Sequence, residues 1–400
     1  MKILYFVHGF PPSIGAGAIN AFKITQYLAS FGHEILILSP GVFHKSSTFK
    51  DFKNLSKLNV DVNYSSRLIK IPFNLIISHF ENMLKFLMIL KKDFNPNLVL
   101  SQYQAYHYAS VVGGYTSKIL KIPHIIRSHD IFFLTDLLNY PLKFFHLLTY
   151  PRIFKSISNS NIFYVTTSEM KKYFSRFKSL RKVDFRIHHN GINTKEFYPF
   201  HNQEELKDSF GCENILLFLG TISKDSTLQY LINALPETLN IHKDTHVLII
   251  GDGPNKKNTF KFLKKSGLTN QVHFLGIKPH EEMPFYINNS DIGIGRFSHE
   301  KIWRYMIPVK CLEYMACEKP FITVPCSQDL IKNNDVGLTV KSDFTKKDII
   351  DNLLKLIEDK ALRKKLGQKG LMKVNQKFRW ENIMTKFNQE ICQTSKDFSK

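Results

Sequence analysis

The amino terminus holds the feature that most limits what this chain can fold into. Lys2 to Val7 is a continuous apolar run of the kind buried on both faces of a parallel sheet. It empties into a loop containing Pro11, Pro12, Gly15, Ala16 and Gly17. Helically spaced apolar residues follow from Ala18 to Phe31, end at Gly32, and give way to a second β run, Glu34 to Leu38. A strand, glycine loop, helix and strand in this order require a right-handed parallel crossover. Further β runs at Asn97 to Leu100, His124 to Arg127 and Asn161 to Thr166 alternate with helical segments to about residue 180. The alternation restarts with strand Ile215 to Leu219, helix Thr227 to Leu239, strand His246 to Ile250, helix Lys256 to Ser266 and strand Val272 to Phe274. With 400 residues and roughly 100–200 per domain, two doubly wound α/β domains are expected. The polar stretch His201 to Asp208 is the linker candidate.

Composition removes several classes. At 43% hydrophobic and 13% aromatic the chain can bury a core, which excludes intrinsic disorder. The longest apolar stretch, Ile71 to Leu90, is interrupted by Asn74, His79, Glu81, Asn82 and Lys85, whereas a spanning helix needs about 20 nearly uninterrupted apolar residues. The first seven residues lack the longer apolar core of a signal peptide, so a cytoplasmic protein is expected. Five cysteines without a CxxC pair suggest neither a disulfide framework nor a zinc site. Charge is uneven: residues 1–200 carry 25 basic and 10 acidic side chains, a net of +15, while residues 201–400 carry 30 and 24, a net of +6. The basic residues form no RNA-binding signature or base-reading helix, which leaves a nucleic-acid partner resting on charge alone. An anionic membrane surface or a phosphorylated acceptor fits the first half. The aromatics of Ile131 to Ile157, with Lys143, Arg152 and Lys155, suit an interfacial helix or an ordinary domain core.

Three segments of the second half carry chemistry when read together. Gly251 and Gly253 end a buried strand, where backbone can approach a ligand beside a helix start. Gly293 and Gly295 stand at the carboxyl end of another, the side on which open parallel sheets place ligands. In Pro308-Val309-Lys310-Cys311-Leu312-Glu313-Tyr314-Met315-Ala316, Lys310 and Glu313 are three apart and share a face if the segment is helical, as site residues or as a surface ion pair.

With these residues in view, the chain resembles glycosyltransferase family 4, of the GT-B fold. The ordered landmarks are Gly15 and Gly17, Gly32-His33-Glu34, His129-Asp130, Thr167-Ser168, His189-Asn190-Gly191-Ile192 with Phe197, Gly251-Asp252-Gly253-Pro254, Val272 to Gly276, and Glu313-Tyr314-Met315-Ala316 with Lys319-Pro320. The resemblance implies an α/β GT-B architecture of two doubly wound Rossmann-like domains facing across a cleft. It places an acceptor-binding domain at 1–197, a donor nucleotide-sugar domain at 198–376, and a last helix at 377–400 crossing back onto the first domain. Glu313 matches the glutamate that accepts the donor ribose hydroxyls, and Lys310 the lysine of a subgroup with Pro-x-Lys before that glutamate. Gly15 and Gly17 match the loop whose amides approach the donor phosphates; His129 matches a histidine lining the reaction centre, the alternative being a buried histidine at a strand end. Gly251, Gly253, Gly276 and Gly295 complete the expected donor site.

Two departures from the family pattern stand out. The glutamate eight residues before Glu313 is replaced by Tyr305, and the Arg and Lys that clamp the diphosphate after Ile215 to Leu219 are replaced by Thr221 and Ser226. Lys224, Arg296 and Lys310 are the cations left to neutralise the leaving group. The resulting expectation is a retaining transferase, without metal or other cofactor, that moves a hexose-type sugar from a nucleotide diphosphate, UDP favoured, to a glycan or lipid-linked acceptor. No nucleic-acid partner is expected, and the location is cytoplasmic with peripheral contact to the inner membrane face. A catalytically silent nucleotide-sugar-binding subunit and a same-fold epimerase are the alternatives.

Overall fold

The computed structural model describes residues 1–7, 10, 16–39, 60–64, 94–103, 109–128, 131, 143–200, 204–224 and 227–399. Its chain divides into two compact units, Met1–His189 with Glu381–Lys400, and Asn190–Trp380.

The first unit is built on seven parallel strands: β1 (Lys2–Phe6), β2 (Glu34–Ser39), β3 (Val60–Tyr64), β4 (Leu98–Tyr103), β5 (His124–Ser128), β6 (Ile162–Val165) and β7 (Phe185–Ile187). They lie in the order β3-β2-β1-β4-β5-β6-β7. The glycine loop is followed by the helix Ala16–Ser30, and β1 pairs in parallel with both β2 and β4. The order therefore reverses between β1 and β4, which puts a crevice at their carboxyl ends. From Glu381 onward the helix Trp380–Phe398 is part of this unit: Asn388 Oδ1 lies 2.5 Å from His33 Nε2, and Tyr164 donates its hydroxyl to Glu390 at 2.5 Å.

The second unit has β8 (Asn214–Leu219), β9 (Thr245–Ile250), β10 (Val272–Gly276), β11 (Ile292–Ile294), β12 (Phe321–Thr323) and β13 (Leu338–Thr339), all parallel, in the order β10-β9-β8-β11-β12-β13. Its central strands β8 and β9 are largely apolar because both faces are covered. Leu216, Phe218, Val247 and Ile249 enter one core, while Ile215, Leu217, Leu219, Leu248 and Ile250 enter the other. That alternation is the period of two of a pleated strand. Here the reversal falls between β8 and β11.

Three expectations about organisation need adjustment. The stretch proposed as a linker contains the helix Glu205–Phe210, whose Leu206 and Phe210 pack against the second core, and Leu206 N–H donates to Asn289 Oδ1 at 3.2 Å. The division follows His189 rather than residue 197. The chain segments on either side of the second unit are stitched together there, with Ile192 N–H donating to Phe378 O at 2.7 Å and Trp380 N–H to Ile192 O at 3.2 Å, and Phe197 is buried in that unit's core. The last helix begins at Trp380, after a wide turn over Val374–Phe378, instead of at 377.

Candidate active site on the second unit

The helix Val309–Ala316 sits beneath the reversal point, and its own side chains hold it there. Tyr314 donates its hydroxyl toward Leu217 O at 3.2 Å and Ile294 O at 3.3 Å, so one buried phenol bridges β8 and β11. Its ring needs Gly293: a Cβ there would stand 2.4 Å from Tyr314 Cδ2. With the helix so fixed, Lys310 and Glu313 are delivered to one end of the sheet.

Their three-residue spacing does not make an ion pair with each other. Lys310 Nζ donates to Leu219 O, the last carbonyl of β8, at 2.6 Å and lies 4.8 Å from the Phe218 ring centroid. Burial above all, aided by the neighbouring Arg296 charge, brings its pKa down to about 8 against the pull of Cys311 and Glu313. Glu313 is only 6% exposed, yet its Oε1 lies 2.9 Å from Nε2 of His280, a largely exposed side chain. A buried carboxylate whose described partner is a surface imidazole keeps acceptor capacity for hydroxyls arriving from solvent.

The glycines turn out to serve one another. Gly251 has φ +140°, and a Cβ on it would lie 1.9 Å from Gly220 O; one on Gly253 would lie 2.3 Å from Ile222 O. The loops after β8 and β9 are laced backbone to backbone, with Ile222 N–H donating to Asp252 O at 3.0 Å and Asn255 N–H to Ile222 O at 3.1 Å. Gly295 is packed as closely, a Cβ there falling 2.8 Å from Thr323 Cβ. Gly251 N–H donates to Gly276 O at 2.8 Å, whereas Gly276 itself borders open space. At Gly251, Gly253 and Gly295 an added side chain would thus meet protein, and the tight packing shapes the crevice floor.

Arg296 follows β11, half-buried, with its guanidinium 3.9 Å from the Trp303 ring centroid. Lys224 is exposed in the loop after β8, as is Thr221; Ser226 lies outside the described residues. Tyr305, at the position of the missing glutamate, is half-buried in the turn Lys301–Tyr305.

On the first unit, Gly15 and His129 lie outside the described residues. Gly17 is half-buried in the first turn of its helix, and its carbonyl accepts from Gln102 Nε2 at 3.1 Å across the β1/β4 reversal. Sequence reading passed over the cation under this end of the sheet. Arg127 is fully buried, donates from Nε to His188 Nδ1 at 2.7 Å, and is pushed down to about 10 by burial despite the opposing Tyr5. Its one signal was an arginine inside an otherwise apolar strand. The aromatic stretch Ile131 to Ile157 is described only in part. In that part Ile153 and Ile157 are buried, and Phe154 meets Phe177 edge-on at 4.9 Å, as core residues do; Phe144 and Phe145 lie outside the described side chains. No described helix is long and apolar enough to cross a membrane.

Residues 201–372 match the family described as Glycosyl transferases group 1, and residues 19–196 match Glycosyltransferase Family 4. Among curated relatives, an uncharacterized glycosyltransferase of Methanocaldococcus jannaschii is 24% identical over 96% of each chain. The alpha-monoglucosyldiacylglycerol synthase of Acholeplasma laidlawii is 22% identical over 73% of each. Among solved structures, Anabaena HepE in complex with UDP superposes with a TM-score of 0.76 at 14% identity, covering 98% of this chain and 100% of that one.

Proposed function

Because the chain belongs to glycosyltransferase family 4, enzymes of the GT-B fold, we propose that it moves a hexose-type sugar, with retention of configuration, from UDP to a glycan or lipid-linked acceptor. The observation that carries this reading is the pairing of a buried carboxylate and a half-buried cation on one helix at the β8/β11 reversal. Glu313 would accept two ribose hydroxyls, one per oxygen. Lys310 and Arg296 would face the diphosphate, whose negative charge grows as the glycosidic bond breaks. With those cations in place the leaving phosphate can itself take the acceptor proton, and the reaction needs no metal and no protein base. UDP as the nucleotide draws support from the HepE complex, and a lipid-linked acceptor from the diacylglycerol-modifying relative.

A panel of nucleotide-sugars scored for thermal stabilisation tests the reading, since a ligand bound only by the folded state raises the melting temperature. UDP-hexoses should stabilise the protein most, and an assay with the best donor should yield free UDP only when acceptor is added. In Glu313→Gln, an amide replaces one acceptor oxygen by a donor. The loss of a charged hydrogen bond, roughly 1.5–3 kcal/mol, should weaken donor binding by about tenfold or more. An unchanged dissociation constant in the folded variant would remove Glu313 from the site.

The +15 balance of residues 1–200 supports an acceptor presented at an anionic membrane surface. Sedimentation with phosphatidylglycerol vesicles should then be strong at low salt and fall steeply as the screening length shrinks from about 10 Å at 0.1 M to 3 Å at 1 M. Failure to sediment at low salt would leave a soluble acceptor and would not touch the donor-site argument.

A further inference from the structure

Arg296 is restrained by a side chain that neither the sequence pattern nor the donor-site reading calls for. Its guanidinium lies 3.9 Å from the Trp303 ring centroid, a stacking distance. Its Nε is buried and has no hydrogen-bond partner. Its backbone is pinned at both polar groups: Arg296 N–H donates to Thr323 Oγ1 at 3.1 Å, and Val324 N–H donates to Arg296 O at 2.7 Å. Trp303 is oriented in turn, because its indole N–H donates to Glu300 Oε2 at 3.0 Å, while Glu300 N–H donates to Ser298 Oγ at 3.2 Å. The turn Lys301–Tyr305 thus presents an aromatic plane whose tilt is set by its own polar edge.

Stacking has a specific consequence for a guanidinium. All five N–H bonds lie in the plane of the group, so a ring covering one face holds the cation while leaving its donor edge free for an oxyanion. Lys310 adds to the same argument, since Arg296 and Lys310 repel one another across this end of the sheet and an anion joining them would remove the repulsion.

We propose that Trp303 is a positioning residue, which holds Arg296 edge-on toward the donor diphosphate and so replaces the clamp missing at Thr221 and Ser226. The inference rests on the reading of this site as one for a nucleoside diphosphate sugar. It adds a residue that touches neither sugar nor phosphate, and it accounts for the half-buried Trp303 in a turn beside the crevice.

The test compares Trp303→Phe, which keeps an aromatic face and loses the Glu300 tether, with Trp303→Leu, which keeps apolar bulk and loses the face. Turnover should fall about tenfold in Trp303→Leu, within the range of a partly desolvated cation–π contact, and no more than about threefold in Trp303→Phe. In an Arg296→Ala background Trp303→Leu should cost nothing further, because the residue acts only through that guanidinium. A merely structural Trp303 would lower the melting temperature and slow the Arg296→Ala enzyme as much as the parent. A second readout needs no turnover: the chain has two tryptophans, and a UDP titration should change the emission of the parent but leave Trp303→Phe, with Trp380 alone, silent. If the parent binds UDP and both Trp303 variants turn over like it, the inference is overturned and the nucleotide reading stands. If the parent neither changes emission nor gains thermal stability with any nucleotide, the nucleotide reading itself is overturned. Should Trp303→Leu fail to fold, Trp303→Phe with and without Arg296→Ala still decides, through the emission change and the coupling.

Discussion

Lys310→Met should lower turnover by about a hundred- to a thousandfold, the usual cost of removing one group aimed at charge that develops in the transition state. Methionine fills the same channel beside Phe218 without a charge, so donor binding should weaken far less than turnover falls. Weakened donor binding with turnover intact would instead make Lys310 a ground-state binding residue. The parent should also show a characteristic pH dependence. In the free protein Lys310 is held at about 8, below the usual lysine value of 10.5, so its cation is present below pH 8 and lost above it. Donor affinity should therefore decline from about pH 8 upward. A bound diphosphate raises the lysine pKa again, so UDP binding at pH 8.5 should take up protons from the buffer, and Lys310→Met should abolish that uptake. Calorimetry in two buffers of different ionisation enthalpy measures it. Stability moves the other way. The unfolded chain binds the proton more tightly than the folded one, so between pH 8 and 10.5 this group makes the protein more stable as pH rises.

Gly251→Ala should be the most damaging single methyl group in the second unit. The added carbon would stand 1.9 Å from Gly220 O, a backbone atom bound into the neighbouring loop, and the φ of +140° is one that side chains rarely adopt. Backbone strain and overpacking together should cost about 2–6 kcal/mol. For a unit of this size that is a fall of roughly 5–20 °C in melting temperature. Gly276→Ala is the internal comparison. Its φ of +72° carries the same kind of backbone penalty, but nothing lies within 4 Å of the new methyl, so about 1–2 kcal/mol is expected. Equal melting temperatures for the two variants would show that the loops after β8 and β9 part more readily than their hydrogen bonds indicate.

The tight contact also shows where a local reading of sequence stops. Gly251 and Gly253 were legible as positions that a side chain would obstruct, and that much is correct, but the obstructed partner is the loop after β8, about thirty residues away in the chain. The spacing of Lys310 and Glu313 correctly placed both on one helix. It could not show that one reaches a strand carbonyl and the other an exposed histidine rather than each other. His280 and Trp303 carried no signal, because each matters through a partner supplied by the fold.

What the sequence determined by itself is the alternation of buried strands and amphipathic helices, hence two parallel sheets. Those follow from periodicity, loop glycines and the fixed hand of the crossover, all of which are local in the chain. The division after His189 was decided only in three dimensions, where Ile192 is bonded to Phe378 and Trp380 from the far end of the sequence. The same holds for the charge state of Lys310. A lysine is basic in any sequence, and it titrates near pH 8 only because β8, Phe218 and Arg296 remove its water and set a second cation beside it. Burial and pairing are sums over neighbours that the chain order does not contain, which is why the site's electrostatics had to wait for the tertiary structure.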